Sequence, residues 1–318
     1  MEILRASELA RSVLGELGKV VVGQEECLEN LTVALLAGGN ALLEGVPGTA
    51  KTLMARALSR AVGVSFRRVQ FTPDLMPSDI LGVNIYNTAK GEFAFRPGPI
   101  FADIILADEI NRAPAKTQSA LLEAMEERQA TVDGVSHLLS PIFTVFATQN
   151  PVELEGTYPL PEAQVDRFML KIAVGYPAEA VEAGILDRVE GGFNPLDLAA
   201  AKVETVVDRD TLAECRAATR SVRVEEPVRR YITRIIRATR SSPELSLGAS
   251  PRAAVMLMLA AKGQAVLAGR DFVTPDDVKV MALPVLRHRL TLVPEVEIEG
   301  RNSEDYVKEL LLGIEVPR

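Results

Sequence analysis

Cysteine is scarce in this chain: only Cys27 and Cys215 occur, far apart in sequence. Two isolated cysteines in 318 residues exclude a disulfide-stapled scaffold and read as free thiols in a reducing cytosol, so a cytoplasmic location is expected. Long apolar runs are absent. None approaches the roughly 18 residues that a membrane-spanning helix needs. Positive charge is not in excess, with Lys plus Arg at 35, Asp plus Glu at 43 and a net charge of −8. That balance gives no general attraction to phosphate backbones and disfavours bulk nucleic-acid binding, though a local basic patch stays open. There is no internal repeat and no low-complexity tract. The stretch MEILRASELARSVLGELGKV lacks the charged head, apolar run and cleavage site of a secretory signal and reads as an amphipathic helix. What is present is ordinary for a globular protein: 47% apolar and 25% charged residues, in a chain long enough for two domains.

Short apolar segments alternate with helical ones over the first half. Strands are expected at 41–44, 66–71, 104–107, 142–148 and 168–174, and helices at 24–38, 51–62 and 116–128. Such alternation means a parallel sheet covered on both faces. Tyr176-Pro177 breaks the pattern, and helical stretches follow near 178–190, 209–220, 226–240, 251–268, 275–288 and 303–312. An α/β domain over 1–177 and a helical domain over 178–318 are expected. Two hairpins interrupt the first part. One has Ile85-Tyr86 and Phe93 to Phe95 around a turn at 87–91, and the other, QATVDGVSHLL, turns at Asp133-Gly134.

The stretch LLEGVPGTAKTLMARAL carries the first chemistry. An apolar strand ends at Glu44-Gly45, and a helix begins near Lys51. Between them Gly45, Val46, Pro47, Gly48, Thr49, Ala50, Lys51 and Thr52 nearly match the phosphate-loop pattern G-x-x-x-x-G-K-[ST], in its confirming strand–loop–helix context. Backbone N–H groups and a helix N-terminus would hold phosphate anions. Lys51 would lie against the β and γ phosphates, and the Thr52 hydroxyl would bind Mg²⁺. Ala50 stands where the second glycine belongs, which is tolerable if it enters the helix with negative φ.

Asp108 and Glu109 close the apolar strand DIILADE, and ligands of parallel sheets sit at strand carboxyl ends. Asp108 can orient a Mg²⁺ shell, and Glu109 can polarise a water for in-line attack. Asn150 ends FTVFATQN, where a neutral amide can position that water, although Asn before Pro151 is also a common turn element. Arg167 precedes the fifth strand, and Arg252 follows Ser250-Pro251 at a helix start. Added positive charge favours phosphoryl transfer, but spacing alone leaves either one an ordinary surface arginine.

Together, GVPGTAKT, LADEINRAPAKTQSALLEAMEERQATVDG, FATQNPVELEGTYPLPEAQVDRF and SPRA resemble the MoxR family of AAA+ ATPases, over about residues 21–286. The resemblance implies a Mg²⁺-ATP hydrolase with an α/β core, a helical lid and an expected strand order of 5-1-4-3-2. It implies that Val22-Gly23 lies near the adenine, that Asn150 is the first sensor, Arg167 the arginine finger and Arg252 the second sensor. The hairpins would be inserts pointing to the axis or face of a ring, expected to have six subunits. Arg112 would face a neighbour in a role left open. Proteins of this kind are thought to remodel client proteins or help install cofactors or metals, often with a partner carrying a von Willebrand factor A domain. Three other classes stay in view. A nucleic-acid motor of the same clade is disfavoured by the net charge and by a turn, TVDGVSH, without Lys or Arg. A metal-chelatase motor subunit would differ only in its client. A GTPase would need more than the D-x-x-G match at Asp79 to Gly82, since no N-K-x-D motif occurs.

Overall fold

The computed structural model describes residues 1–89, 91–151, 156–194 and 197–317. Lys90 in the expected first turn, and residues 152–155 of the quoted FATQN segment, lie outside the described residues. The chain begins with α1 (Ile3–Gly18) and α2 (Glu25–Ala37), then runs β1 (Ala41–Glu44), α3 (Lys51–Ala61) and β2 (Phe66–Gln70). After α4 (Pro77–Leu81) come the hairpin β3 (Gly82–Asn87) and β4 (Glu92–Pro97), then β5 (Ile104–Asp108) and α5 (Ala115–Glu127). A second hairpin, β6 (Gln129–Val132) and β7 (Val135–Leu138), precedes β8 (Thr144–Gln149), α6 (Glu162–Val165) and β9 (Leu170–Ala173). The rest is mainly helical: α7 (Glu179–Glu190), α8 (Arg209–Ser221), α9 (Glu226–Ser241), α10 (Pro251–Leu267), α11 (Pro275–Leu286), α12 (Pro294–Ile298) and α13 (Ser303–Gly313). Within it, β10 (Leu245–Leu247) pairs with β11 (Thr291–Leu292).

The five-stranded sheet is parallel throughout, in the order β2-β5-β8-β1-β9. Counted along the chain and read from β9, that is 5-1-4-3-2. Parallel neighbours need crossovers, and these cover both faces. The alternation of side chains divides the sheet's residues between two cores. Ala41, Leu43, Ile104, Leu106, Phe146, Leu170 and Ile172 face one side. Leu42, Ile105, Ala107, Val145 and Ala147 face the other, under α4 and α5. Near-continuous apolar strands such as IILAD follow from burial on both faces.

The first core extends without a break into the C-terminal helices. It joins Leu31 and Val33 of α2 to Leu257 of α10, Val278 of α11 and Val307 of α13. Gly263 permits the close approach of α10, since a Cβ there would meet Val33 Cγ1 at 3.0 Å and the Val33 carbonyl at 3.2 Å. Two buried arginines stitch the halves together. Arg216 of α8 donates to the Leu35 carbonyl (2.8 Å) and the Thr144 hydroxyl (2.6 Å). Burial, helped by Arg128 and Arg220, pushes its pKa down to about 9. Arg289, beyond α11, donates to the Asp166 carboxylate (2.7 Å) and to the carbonyls of Asp166 and Phe168. Unpaired, such charges would be expensive to bury.

The short α4, α6 and α12 and the β10–β11 pair had no sequence signal, because elements of two to five residues complete too little of a period to register. Strands four and five begin two residues later than expected. The Phe143 N–H bonds to Ser140 O (2.9 Å) and the Phe168 N–H to Val165 O (3.0 Å), so each apolar lead-in is spent on a turn.

Next to Arg289, the His288 ring faces the Phe168 carbonyl through Nε2 at 3.1 Å. That nitrogen must donate, and Nδ1 is buried with no hydrogen-bond partner. Burial first, then the neighbouring Arg289, Lys171 and Arg287 charges, hold the imidazole well below its ordinary pKa of 6.5. The folded chain therefore refuses a proton that the unfolded chain accepts below that pH. Stability from this group is present above 6.5 and is lost as pH falls from there toward the lowered folded value. Denaturant midpoints should fall more steeply on acidification in the native chain than in His288→Gln; parallel curves would show that the ring does not titrate on unfolding.

Candidate nucleotide site

Strand β1 lies between β8 and the edge strand β9. The crevice at its carboxyl end is where ligands of such sheets bind. Register places Glu44 beside Gln149 and Gln70 beside Asp108, so Gly45, Asp108 and Asn150 emerge together. They meet at a cavity of about 530 Å³, within the range of small-molecule sites. Its walls include Val22, Pro47, Gly48, Thr49, Ala50, Lys51, Thr52, Asp108, Glu109 and Asn150.

The loop is shaped by close approach. A Cβ on Gly45 would lie 2.2 Å from the Val174 carbonyl. Ala50 corrects an expectation: its φ is +63°, not negative. The turn into α3 needs the left-handed conformation that glycine adopts freely, and alanine takes it at about 1–2 kcal/mol. No side chain caps α3, so its first N–H groups remain for an anion. The Thr49 hydroxyl donates to Val46 O (2.9 Å), bracing the loop. Lys51 Nζ donates to the Gly45 and Val46 carbonyls at 2.5 and 2.7 Å, which keeps the ammonium at the loop's mouth. Burial lowers its pKa, and Asp108 and Glu109 oppose that shift.

Asp108 is buried at the end of β5. Thr148 Oγ1 donates to its Oδ1 (2.5 Å), and Thr52 Oγ1 lies 3.4 Å from its Oδ2. Thr52 and Asp108 are thus the two protein oxygens that could hold a hard divalent cation, with phosphate and water completing the shell. Arg68 also reaches Asp108 Oδ2, through Nε at 2.9 Å and Nη2 at 2.6 Å. Glu109 has φ +56°, a strained value for a non-glycine residue. Its N–H is held by Thr148 Oγ1 (2.8 Å), and its Oε2 accepts from Gln70 (2.6 Å) and Arg112 (3.0 Å). Arg112, whose role the sequence leaves open, pairs here with Glu109 of its own chain. Sequence reasoning missed Arg68 and Gln70. Two residues apart in FRRVQ, they share one face of the strand beside Asp108.

The far end of the cavity is apolar. Val20, Val21 and Val22 face Ile185, Val189 and Phe193, with the Arg188 guanidinium 4.4 Å above the Phe193 ring. This slot suits a flat base, and the loop end suits phosphates. Gly23 is not on the wall; its φ of +73° lets the chain turn under α7, where a Cβ would strike Val181.

Two expected residues lie elsewhere. Arg167 pairs with Glu126 Oε2 (3.1 Å) and Arg252 with Glu126 Oε1 (2.5 Å). Arg252 was expected to be the second sensor, touching nucleotide from the helical half. It lies off the cavity wall because Ser250, the cap of α10, donates to Asp166 and anchors that helix beyond the edge strand. The helical segment reaches the cavity through α7 instead, by Ile185, Arg188 and Val189.

A strand–loop–helix cradle, an acidic strand end and a helical cover define a nucleotide hydrolase. The family model for the ATPase family associated with various cellular activities (AAA) matches residues 40–170, and the AAA lid domain model matches 237–310. The protein is an AAA+ ATPase. Chaperone MoxR1 of Mycobacterium tuberculosis is 41% identical over 95% of this chain and 81% of its own. YeaC of Bacillus subtilis is 46% identical over 95% and 92%. A crystal structure from Cytophaga hutchinsonii superposes with a TM-score of 0.90 at 41% identity, covering 99% of this chain and 97% of that one. The chain belongs to the MoxR family of AAA+ ATPases.

Two substitutions probe the site. Ala50→Gly should keep nucleotide binding and raise the melting temperature slightly, because relief of about 1–2 kcal/mol of strain exceeds glycine's entropic cost of roughly 0.5–1 kcal/mol. A lowered melting temperature would mean the left-handed turn is not strained. Glu109→Gln should still bind ATP, while hydrolysis falls by roughly 10²-fold or more. Lost binding with an unchanged rate for bound ATP would make Glu109 a metal ligand.

Proposed function

We propose that this ATPase is a ring-forming, chaperone-like motor whose hydrolytic site is shared between subunits. The observation that carries the reading is the position of Arg167. It lies before the edge strand β9, at the end opposite the phosphate loop, and pairs with Glu126 outside the cavity that gathers Lys51, Thr52, Asp108, Glu109 and Asn150. An arginine there is badly placed for its own subunit's phosphates and well placed for a neighbour's. The interface would be head-to-tail and would close where the rotation permits, with six subunits by resemblance.

In the proposed site, Lys51 and the first N–H groups of α3 bind the phosphates. Thr52 and Asp108 hold Mg²⁺, which when bound offsets phosphate charge. Glu109, oriented by Gln70 and Arg112, takes up the proton of a water that Asn150 helps place. Val22 and the α7 residues close over the base. Residues 1–177 form the nucleotide-binding core and 178–318 the lid.

The work is proposed to fall on another protein. The hairpins are linked to each other, Asn84 donating to Asp133 (2.8 Å) and Phe95 stacking on His137 (3.9 Å). Around them Tyr86, Phe93, Val135 and Leu138 are exposed, apolar contacts suited to a polypeptide more than to a phosphate backbone. Family likeness points to a client protein, a von Willebrand factor A partner and cofactor or metal insertion, and the free Cys27 and Cys215 point to a cytoplasmic site.

Turnover per subunit should rise with protein concentration. Mixing inactive Arg167→Ala with inactive Lys51→Ala subunits should recover activity, since some interfaces pair an intact loop with an intact arginine. An arginine in trans is worth about 10³ to 10⁵ in rate in other phosphoryl-transfer enzymes. No recovery in demonstrably mixed oligomers would rule the shared site out.

A further inference from the structure

The site just described assigns no role to one carboxylate. Glu126, in the last turn of α5, takes one arginine on each carboxylate oxygen: Arg167 from the sheet side and Arg252 from α10. We infer that Glu126 is a positioning residue that holds Arg167 and Arg252 as a single two-pronged unit for the phosphates of a neighbouring subunit. The inference rests on the shared-site reading.

Three observations converge on it. First, the backbones of both arginines are fixed to one buried anchor. Asp166, next to Arg167, accepts from Arg289, whose side chain is 1% exposed, and from Ser250, which caps the helix carrying Arg252. The anchor sets where the two chains stand, and Glu126 sets where their guanidinium groups point.

Second, the triad is too exposed to be a stabilising device. Its side chains are 32%, 38% and 36% exposed for Arg167, Arg252 and Glu126, a range in which ion pairs contribute little to stability. Two guanidinium groups brought this close would repel without the carboxylate between them. With it, the cluster keeps one net positive charge and unspent N–H donors.

Third, Arg167 Nε is buried without a hydrogen-bond partner, a donor left unsatisfied in a side chain that is otherwise held. Unsatisfied buried donors in native structures call for an explanation. A guanidinium whose direction is set for a ligand, rather than for its own packing, supplies one.

The test uses the full chain. Glu126→Ala should lower kcat by up to about 10²-fold, the scale of a misplaced reacting group, with KM for ATP and the melting temperature unchanged. Glu126→Gln, which keeps an acceptor for one arginine, should recover part of that loss. The defect should also map to the arginine face. Glu126→Ala subunits mixed with Lys51→Ala subunits should regain activity, and mixed with Arg167→Ala subunits should not. A wild-type kcat in Glu126→Ala, or recovery with Arg167→Ala, would overturn the assignment. If Lys51→Ala and Arg167→Ala themselves fail to complement, the shared site falls and this role with it; if they complement while Glu126→Ala runs at the wild-type rate, only this role falls.

Discussion

Strand β1 is boxed in. It is paired on both edges and covered on both faces, and at its carboxyl end the Val174 carbonyl occupies the place of a side chain on Gly45. The chain can only leave upward and turn sharply into α3. Everything chemical follows from that exit. The loop lines the crevice, Lys51 begins the helix, and β5 and β8 deliver Asp108, Glu109 and Asn150 to the same ledge.

Backbone strain collects at the same ledge. Among the described residues, Ala50, Glu109, Arg128, Asp133 and Lys202 are the non-glycine residues with positive φ, and the first two line the cavity. Such conformations persist where the surroundings over-determine them. Here the surroundings are the braced loop beneath Ala50 and the Thr148 hydroxyl, which grips both the Glu109 N–H and the Asp108 carboxylate.

The helical half is held to the sheet by more than apolar contact. Arg289 and His288 both donate to the Phe168 carbonyl at the entry to β9, and Arg216 ties α8 to α2 and β8. These bonds fix α11 beside the edge strand, and α10 packs on α11 with its cap Ser250 bonded to Asp166. They explain why Arg252 joins Arg167 on Glu126 while α7, earlier in the chain, covers the base end of the cavity.

The alternating pattern, the phosphate loop and the acidic strand end were legible from residues alone, because each depends on chemistry within about a dozen neighbours. Strand order followed from family likeness, and the parallel sheet bears it out. The left-handed Ala50 was not legible, since an alanine before a helix ordinarily has negative φ; only the demand that the loop turn its N–H groups inward reverses it. Nor were the partners of Arg68 and Gln70, which lie 40 and 39 residues away. Arg252 shows the division most plainly. Its sequence context marked a helix start, which is local and came out as Ser250 capping α10. Where its guanidinium points was decided by how that helix docks, and docking depends on buried contacts such as Arg289 with Asp166, 123 residues apart, that no local pattern encodes.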